Sequence, residues 1–251
     1  MILATFNVNG IRPRLPVIEE WMVKVSPDVL CLQETKVQDS DFPHEPLEKM
    51  GYACAYRGQK SYNGVAILSK LAPEAVTYGF GDRDTEEGPR LMMAKIGGIP
   101  IVNTYVPQGY APDSEKFRYK LSWFHRLRTY FSENFDSDRP LLWVGDLNVA
   151  PEPIDVYDPD KLKGSVGFHP DEHRVLAEFK RWGWIDVFRL HEKRGDMYTF
   201  WDYRIPRAVK RGLGWRIDHI WATSPLAKRS TGAWIDIEPR LAQRPSDHTF
   251  L

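Results

Sequence analysis

Short apolar runs rich in β-branched residues recur from one end of this chain to the other: Ile2 to Val8, Val29 to Leu32, Val65 to Leu68, Ile101 to Val106, Leu141 to Val144, Ile217 to Trp221 and Trp234 to Ile237. Runs of that length predict buried strands. Three longer stretches have helical spacing instead. One runs from about Leu15 to Val25, with Pro16 tolerated in its first turn. A second, from Ser114 to Asn134, repeats Phe117, Leu121, Phe124 and Phe131 along one stripe, and Ser114 is a candidate cap. The third, from Asp171 to Trp182, turns Val175, Leu176 and Phe179 inward and stops at Gly183. Strands outnumber helices, so the pattern predicts an α+β fold of stacked sheets flanked by helices. No linker, repeat or low-complexity stretch divides the 251 residues. A single domain spanning 1–251 is therefore expected.

Several runs end in a short polar signature: Phe6-Asn7-Val8-Asn9-Gly10, Leu32-Gln33-Glu34-Thr35, Tyr105-Val106-Pro107-Gln108-Gly109, Gly145-Asp146-Leu147-Asn148 and Ser246-Asp247-His248. Polar residues at a strand end are ordinary, because strand ends meet solvent. A set of carboxylates, amides and an imidazole delivered this way is also how a sheet builds a site along one rim. Glu34, Asp146 and Asp247 are hard oxygen ligands suited to Mg²⁺ or Mn²⁺, and unsuited to zinc without cysteine or histidine support. Such an ion neutralises phosphoryl oxygens. Asn7, Asn148 and Gln108 can orient a carboxylate or donate to phosphate without adding charge, and Tyr105 offers a hydroxyl donor. An acidic partner would keep His248 protonated, and Asp218 is the candidate. His219 reads as structural.

Lys plus Arg and Asp plus Glu stand at 34 each, so the net charge is zero. A polyanion site must then be a local patch. One such patch carries Arg204, Arg207, Lys210, Arg211 and Arg216 with no acid between them. It lies between Tyr198-Thr199-Phe200-Trp201 and Trp215, which sets stacking rings beside cations. A second basic stretch, Lys116, Arg118 and Lys120, is either a DNA edge or a solvated helix face. Cys31 and Cys54 have no metal spacing and read as reduced core thiols. The N-terminus lacks a signal-peptide pattern, and no run reaches the ~20 apolar residues of a membrane span. The expectation is a cytoplasmic protein without a membrane partner.

The polar signatures, together with Lys36 after Thr35, Val149-Ala150 after Asn148, Trp215-Arg216-Ile217-Asp218 and Pro245 before Ser246, resemble the exonuclease III family of the endonuclease/exonuclease/phosphatase superfamily, in order and over nearly the whole chain. The resemblance implies a four-layer α/β/β/α sandwich of two packed mixed sheets. It implies a Mg²⁺- or Mn²⁺-dependent phosphodiesterase of base-excision repair that cuts 5′ to abasic sites, with 3′→5′ exonuclease and 3′-end-cleaning activity. The partner would be double-stranded DNA with abasic or 3′-blocked sites, met by a monomer. Glu34 resembles the principal metal ligand, with Asp247 nearby. Asp146 resembles the residue that orients or deprotonates the attacking water, positioned by Asn7. Asn148 and Tyr105 resemble phosphate contacts, and His248 the phosphate-facing histidine held by Asp218. Phe200, Trp215 and Ile217 match the pocket for a flipped-out baseless sugar, where extrusion costs least. Gln108, Arg216, Arg207, Lys210 and Arg211 complete the expected DNA contacts. Asn9 stands where some relatives carry aspartate. Only Thr249, Phe250 and Leu251 follow His248, a short segment to hold it.

A lipid- or inositol-phosphate phosphatase of the same superfamily would share Glu34, Asp146, Asn148 and His248. The basic loop and the Phe200–Trp215 pair favour DNA over that alternative. A non-catalytic DNA-binding module would require the loss of a central acid or of the histidine, and none is lost.

Overall fold

The computed structural model describes residues 1–81 and 88–251. The strands, in chain order, are β1 (Leu3–Asn7), β2 (Val29–Gln33), β3 (Ala53–Gln59), β4 (Tyr62–Ser69), β5 (Ala75–Tyr78), β6 (Leu91–Ile96), β7 (Ile99–Tyr105), β8 (Leu142–Asp146), β9 (Ile185–Asp186) and β10 (Asp218–Ala222). The helices are α1 (Ile11–Val25), α2 (His44–Lys49), α3 (Glu115–Asn134), α4 (Pro159–Leu162), α5 (Pro170–Trp182), α6 (Val187–His191) and α7 (Ser224–Ala227). One sheet has the order β1-β2-β4-β3 and the other β5-β6-β7-β8-β10-β9. Both are mixed, with β1 parallel to β2 and β7 parallel to β8.

The period of two along each strand makes the layers. In β2, Val29 and Cys31 face the other sheet, while Leu30 and Leu32 face α1 beside Ile18, Trp21 and Met22. In β8, Leu142 and Val144 fill the inter-sheet core, while Trp143 packs against Phe131 of α3 and Phe179 of α5. Strands buried on both faces read as continuous apolar runs. Helices over both outer faces give the four-layer α/β/β/α sandwich. Behind the rim the sheets are also tied by polar groups. Gln33 Nε2 donates to Asn103 Oδ1 (2.7 Å), and Asn103 Nδ2 donates to the carbonyls of Leu32 and Ala66.

The expected helices are present, and Ser114 caps α3 by accepting from Phe117 N–H at 3.1 Å. The first helix begins earlier than its apolar stripe suggests, at Ile11, which leaves Pro16 inside it. Its start is fixed from outside: Gly10 N–H and Ile11 N–H donate to the carbonyls of Glu34 and Thr35. Those tertiary bonds satisfy helix-end donors that no local cap serves. Trp234 to Ile237, expected as a strand, forms a single bridge between Asp236 and Phe250. The segment after His248 is nevertheless well held. Leu251 exchanges backbone hydrogen bonds with Thr5, and the Phe250 ring stacks on Phe6 and on Trp21, each at 4.0 Å. Among the described residues, no helix is long and apolar enough to cross a membrane.

Candidate active site

The ends of neighbouring strands bring the polar signatures together. Across β7, β8 and β10, Tyr105, Asp146 and Asp218 stand side by side in register. From the facing sheet, Asn7 ends β1, paired with Gln33 at the end of β2, and Glu34 follows directly. Asp146 can sit there because Gly145 (φ +127°) lets the backbones touch; a Cβ at Gly145 would lie 2.0 Å from the carbonyl oxygen of Thr104. Glu34, Lys36 and Asn148 have φ of 52°, 55° and 53°. Left-handed backbone at non-glycine residues costs about 1–3 kcal/mol each and clusters where function demands it.

Asn7 is the hub. Its Nδ2 donates to Glu34 Oε1 at 2.8 Å and to Asp146 Oδ2 at 2.9 Å, which joins the two carboxylates across the sheets. Asn148 N–H donates to Asp146 Oδ1 at 2.8 Å, and Asn148 Nδ2 donates to the Val106 carbonyl at 2.9 Å. His248 Nδ1 donates to Asp218 Oδ2 at 2.7 Å, and its Nε2 lies 3.9 Å from Asp146 Oδ2. Thr199 Oγ1 fixes Asp218 from behind, accepting from the backbone N–H groups of Ile217 and Asp218. Ser246 Oγ donates to the Asn7 carbonyl and ties the histidine segment to β1.

The electrostatics follow from burial and neighbours. Burial alone would lower the pKa of His248, but Asp218, Asp146 and Asp247 raise it to about 10, so the ring is an imidazolium at neutral pH. Burial and Asp218 push Asp146 up to about 7, against the pull of His248 and Asn7. Burial would also raise Glu34, but Lys36, Asn7 and His248 hold it below the usual carboxylate range. Burial, with Glu34 and Asp146, keeps the Tyr105 phenol protonated.

Ligand atoms of Glu34, Asp146 and His248 lie within 4.8 Å of one another. An imidazolium has no free lone pair, so the usable donors are the two carboxylates. Two clustered carboxylates, one partly exposed and one buried, fit a hard divalent cation better than a soft one. Lys36 Nζ sits 2.8 Å from Glu34 Oε2 and also donates to Asn9 Oδ1. Asp247 lies one step away from this group, accepting from Asn9 Nδ2 at 2.9 Å.

Phe200, Trp215 and Ile217 pack together with Phe168 and Ala150. Phe200 and Trp215 exchange backbone hydrogen bonds at 2.9 Å, and the Phe200 ring lies 4.9 Å from the His248 ring. Arg207, Lys210 and Arg211 project into solvent from a loop folded over Tyr198, Trp201 and Ala208. Arg204 is exposed too, paired with Asp202 at 2.7 Å. Gln108 is exposed and accepts from Tyr110 N–H.

Two expected surface cations are buried instead. Arg216 is fully buried and donates to Asp155 and Asp186 at 2.7–2.9 Å. The alternation along this extended segment sets Trp215 into the aromatic cluster and turns its neighbour inward, so Arg216 is not a DNA contact. Lys120 is neither a DNA edge nor a solvated face; it too is fully buried, paired with Glu172. Asp155, Asp186, Glu172 and Thr199 escaped the sequence reading. Each is a lone polar residue in ordinary context, and only the three-dimensional pairing shows what it does.

Residues 4–248 match the model of the endonuclease/exonuclease/phosphatase family. The chain is 34% identical to exodeoxyribonuclease III of Haemophilus influenzae, over 99% of this chain and 97% of that protein. An AP endonuclease from Archaeoglobus fulgidus superposes with a TM-score of 0.95 at 46% identity, covering 100% of this chain and 97% of the other. A 3′–5′ exonuclease from Neisseria meningitidis superposes with a TM-score of 0.94 at 35% identity, covering 100% and 97%. With its strand-end carboxylates, bridging asparagine and aspartate-held histidine on the rim of a four-layer sandwich, this chain belongs to the endonuclease/exonuclease/phosphatase family, in its exonuclease III branch.

Proposed function

We propose that the protein is a Mg²⁺-dependent DNA phosphodiesterase that cuts 5′ to abasic sites and trims or cleans 3′ ends. The observation that carries this reading is the contact between two different sites: the Phe200 ring of the aromatic wall lies 4.9 Å from His248 of the polar cluster. A baseless sugar seated against Phe200, Trp215 and Ile217 would present its 5′ phosphate to the histidine and carboxylates. The names of the relatives, exodeoxyribonuclease III and AP endonuclease, support it.

The roles follow from the geometry. Asp146, with a raised pKa and both oxygens engaged by Asn7 and Asn148, orients a water and accepts its proton as the oxygen attacks phosphorus. His248 donates from Nε2 to a phosphoryl oxygen while Asp218 holds its other face. Tyr105 adds a neutral donor. The P–O3′ bond breaks; the departing O3′ takes a proton from solvent, which leaves a 3′-hydroxyl on the preceding nucleotide and a 5′-phosphate on the baseless sugar. Glu34 and Asp146 would hold the cation, which when bound neutralises charge on the phosphoryl oxygens. Arg207, Lys210 and Arg211 would track the DNA backbone.

Two matched duplexes test the proposal, one with a central abasic site and one intact with a recessed 3′ end, each incubated with Mg²⁺ and with chelator. Incision 5′ to the lesion that stops in chelator is the expected result. Activity on inositol phosphates with none on either duplex would refute it. In Glu34→Gln the half-saturating Mg²⁺ concentration should rise as the rate falls; an unchanged Mg²⁺ titration would remove Glu34 from the ligand set.

A further inference from the structure

Outside the polar cluster, one fully buried ion pair reaches the backbone of three loops beside it. Lys120 of α3 and Glu172 of α5 are both 0% exposed and are paired through Nζ and Oε1. Lys120 Nζ also donates to the carbonyls of Asn148 (2.8 Å) and Gln108 (3.2 Å). Glu172 Oε2 accepts from the N–H groups of Gly167 (2.8 Å) and His169 (3.0 Å). The Gly167 carbonyl in turn accepts from Ala150 N–H at 2.8 Å. Gly167 lies directly under Trp215: with φ +89°, a Cβ there would stand 3.3 Å from the indole ring.

The pair therefore grips three loops at once: the one after Tyr105, the one after Asp146, and the one that supports Trp215. Asn148 is the residue most exposed to its influence. Its left-handed backbone is pinned at both ends, the N–H by Asp146 and the carbonyl by Lys120. A buried pair is no source of stability in itself, since an apolar pair of like volume serves as well or better. What an apolar pair cannot do is donate to two carbonyls and accept from two amides.

The geometry points to Lys120 and Glu172 as positioning residues that lock the phosphate-contacting Asn148 loop to the wall supporting Trp215. The inference rests on the phosphodiesterase reading above. Neither residue touches the reacting atoms. Their effect is to keep the attacking water's holder and the sugar pocket in one frame, where a displacement of an ångström costs on the order of 10²-fold in rate.

The test compares Lys120→Met, Lys120→Arg and the double variant Lys120→Met/Glu172→Leu with the parent on the abasic duplex, with kcat, KM and melting temperature measured for each. Parental cleavage establishes the phosphodiesterase reading separately; without it, that reading fails and the pair is not at issue. The double variant should melt above Lys120→Met, because no charge is left buried alone, but below the parent, because two carbonyls and two amides lose their partners; its kcat should stay on the order of 10²-fold low. KM should move little, since the exposed cations are untouched. Lys120→Arg, which keeps the donors, should recover much of the rate lost in Lys120→Met. A double variant that regains both stability and kcat would overturn the inference and leave the pair as packing. So would a Lys120→Arg variant that folds normally but is as slow as the double variant.

Discussion

Two buried histidines, His219 and His248, have opposite electrostatics, although both stand beside aspartates. His248 is surrounded by Asp218, Asp146 and Asp247, which raise its pKa to about 10. Burial and the adjacent Arg216 guanidinium lower that of His219 to about 4. In the His219 region Arg216 answers Asp155 and Asp186, Arg189 adds a second cation, and His219 Nε2 donates to the Val149 carbonyl at 2.8 Å. Burial is offset there, and Asp155 and Asp186 are held below the usual carboxylate range by Arg216. In the His248 region carboxylates outnumber cations and Asp146 is pushed up instead. The first cluster is balanced within the protein, whereas the second leaves a deficit of positive charge for a cation to meet. Perturbed groups accompany both structure and chemistry, and the sign of the imbalance separates them.

The largest effect should come from breaking that asymmetry at its source. Asp218→Asn removes the main partner of His248, so the imidazolium should deprotonate nearer the ordinary histidine value. The rate should fall by roughly 10²–10⁴-fold, with the alkaline limb of the pH–rate profile moved to lower pH. An unmoved alkaline limb in the variant would dissolve the proposed pairing of roles.

Arg216→Met attacks the balanced cluster. It strands Asp155 and Asp186 in the interior, and removing one side of a buried pair costs about 3–5 kcal/mol. Urea unfolding should show that loss, and the folded fraction should still cleave. A variant as stable as the parent would mean that Arg189 and water suffice for the aspartates.

Trp215 precedes Arg216 and faces the other way, so Trp215→Ala should behave in the opposite sense. It should lower abasic cleavage by about 1–3 kcal/mol, ten- to hundredfold, with a smaller loss on ordinary 3′ ends and little change in melting temperature. Equal losses in both activities together with a lower melting temperature would assign Trp215 to the core.

The smallest effect is the pH signature of His219. Its folded value lies below its unfolded one, so its contribution is present above pH 6.5 and is lost as the pH falls toward 4. Between pH 7 and pH 5 the loss should be about 2 kcal/mol. Urea midpoints for the parent and His219→Asn would isolate it: the parent should lose more on acidification than the variant.

The layers and the rim were legible in the sequence because both are written locally. A run such as Val29 to Leu32 states its own burial, and a signature such as Gly145-Asp146-Leu147-Asn148 states its own chemistry. Partnership is not written locally. Arg216 reads as part of a basic loop until Asp155 and Asp186 appear beside it, from positions far away in the chain. Lys120 reads as one of three helix cations until Glu172 closes on it. The start of α1 was missed for the same reason, since its donors are met by the Glu34–Thr35 backbone rather than by a cap.

The pairing of Leu251 with Thr5, and of Phe250 with Phe6 and Trp21, bears on when this molecule can become a nuclease. Asn7 comes from β1 and His248 from the segment beyond Asp247, so the cluster joins two sections of polypeptide made far apart in time. Without residues 246–251 the cluster lacks both the imidazolium and the Phe250 ring stacked on Phe6 and Trp21. The cluster is complete only once residues 246–251 have emerged and docked.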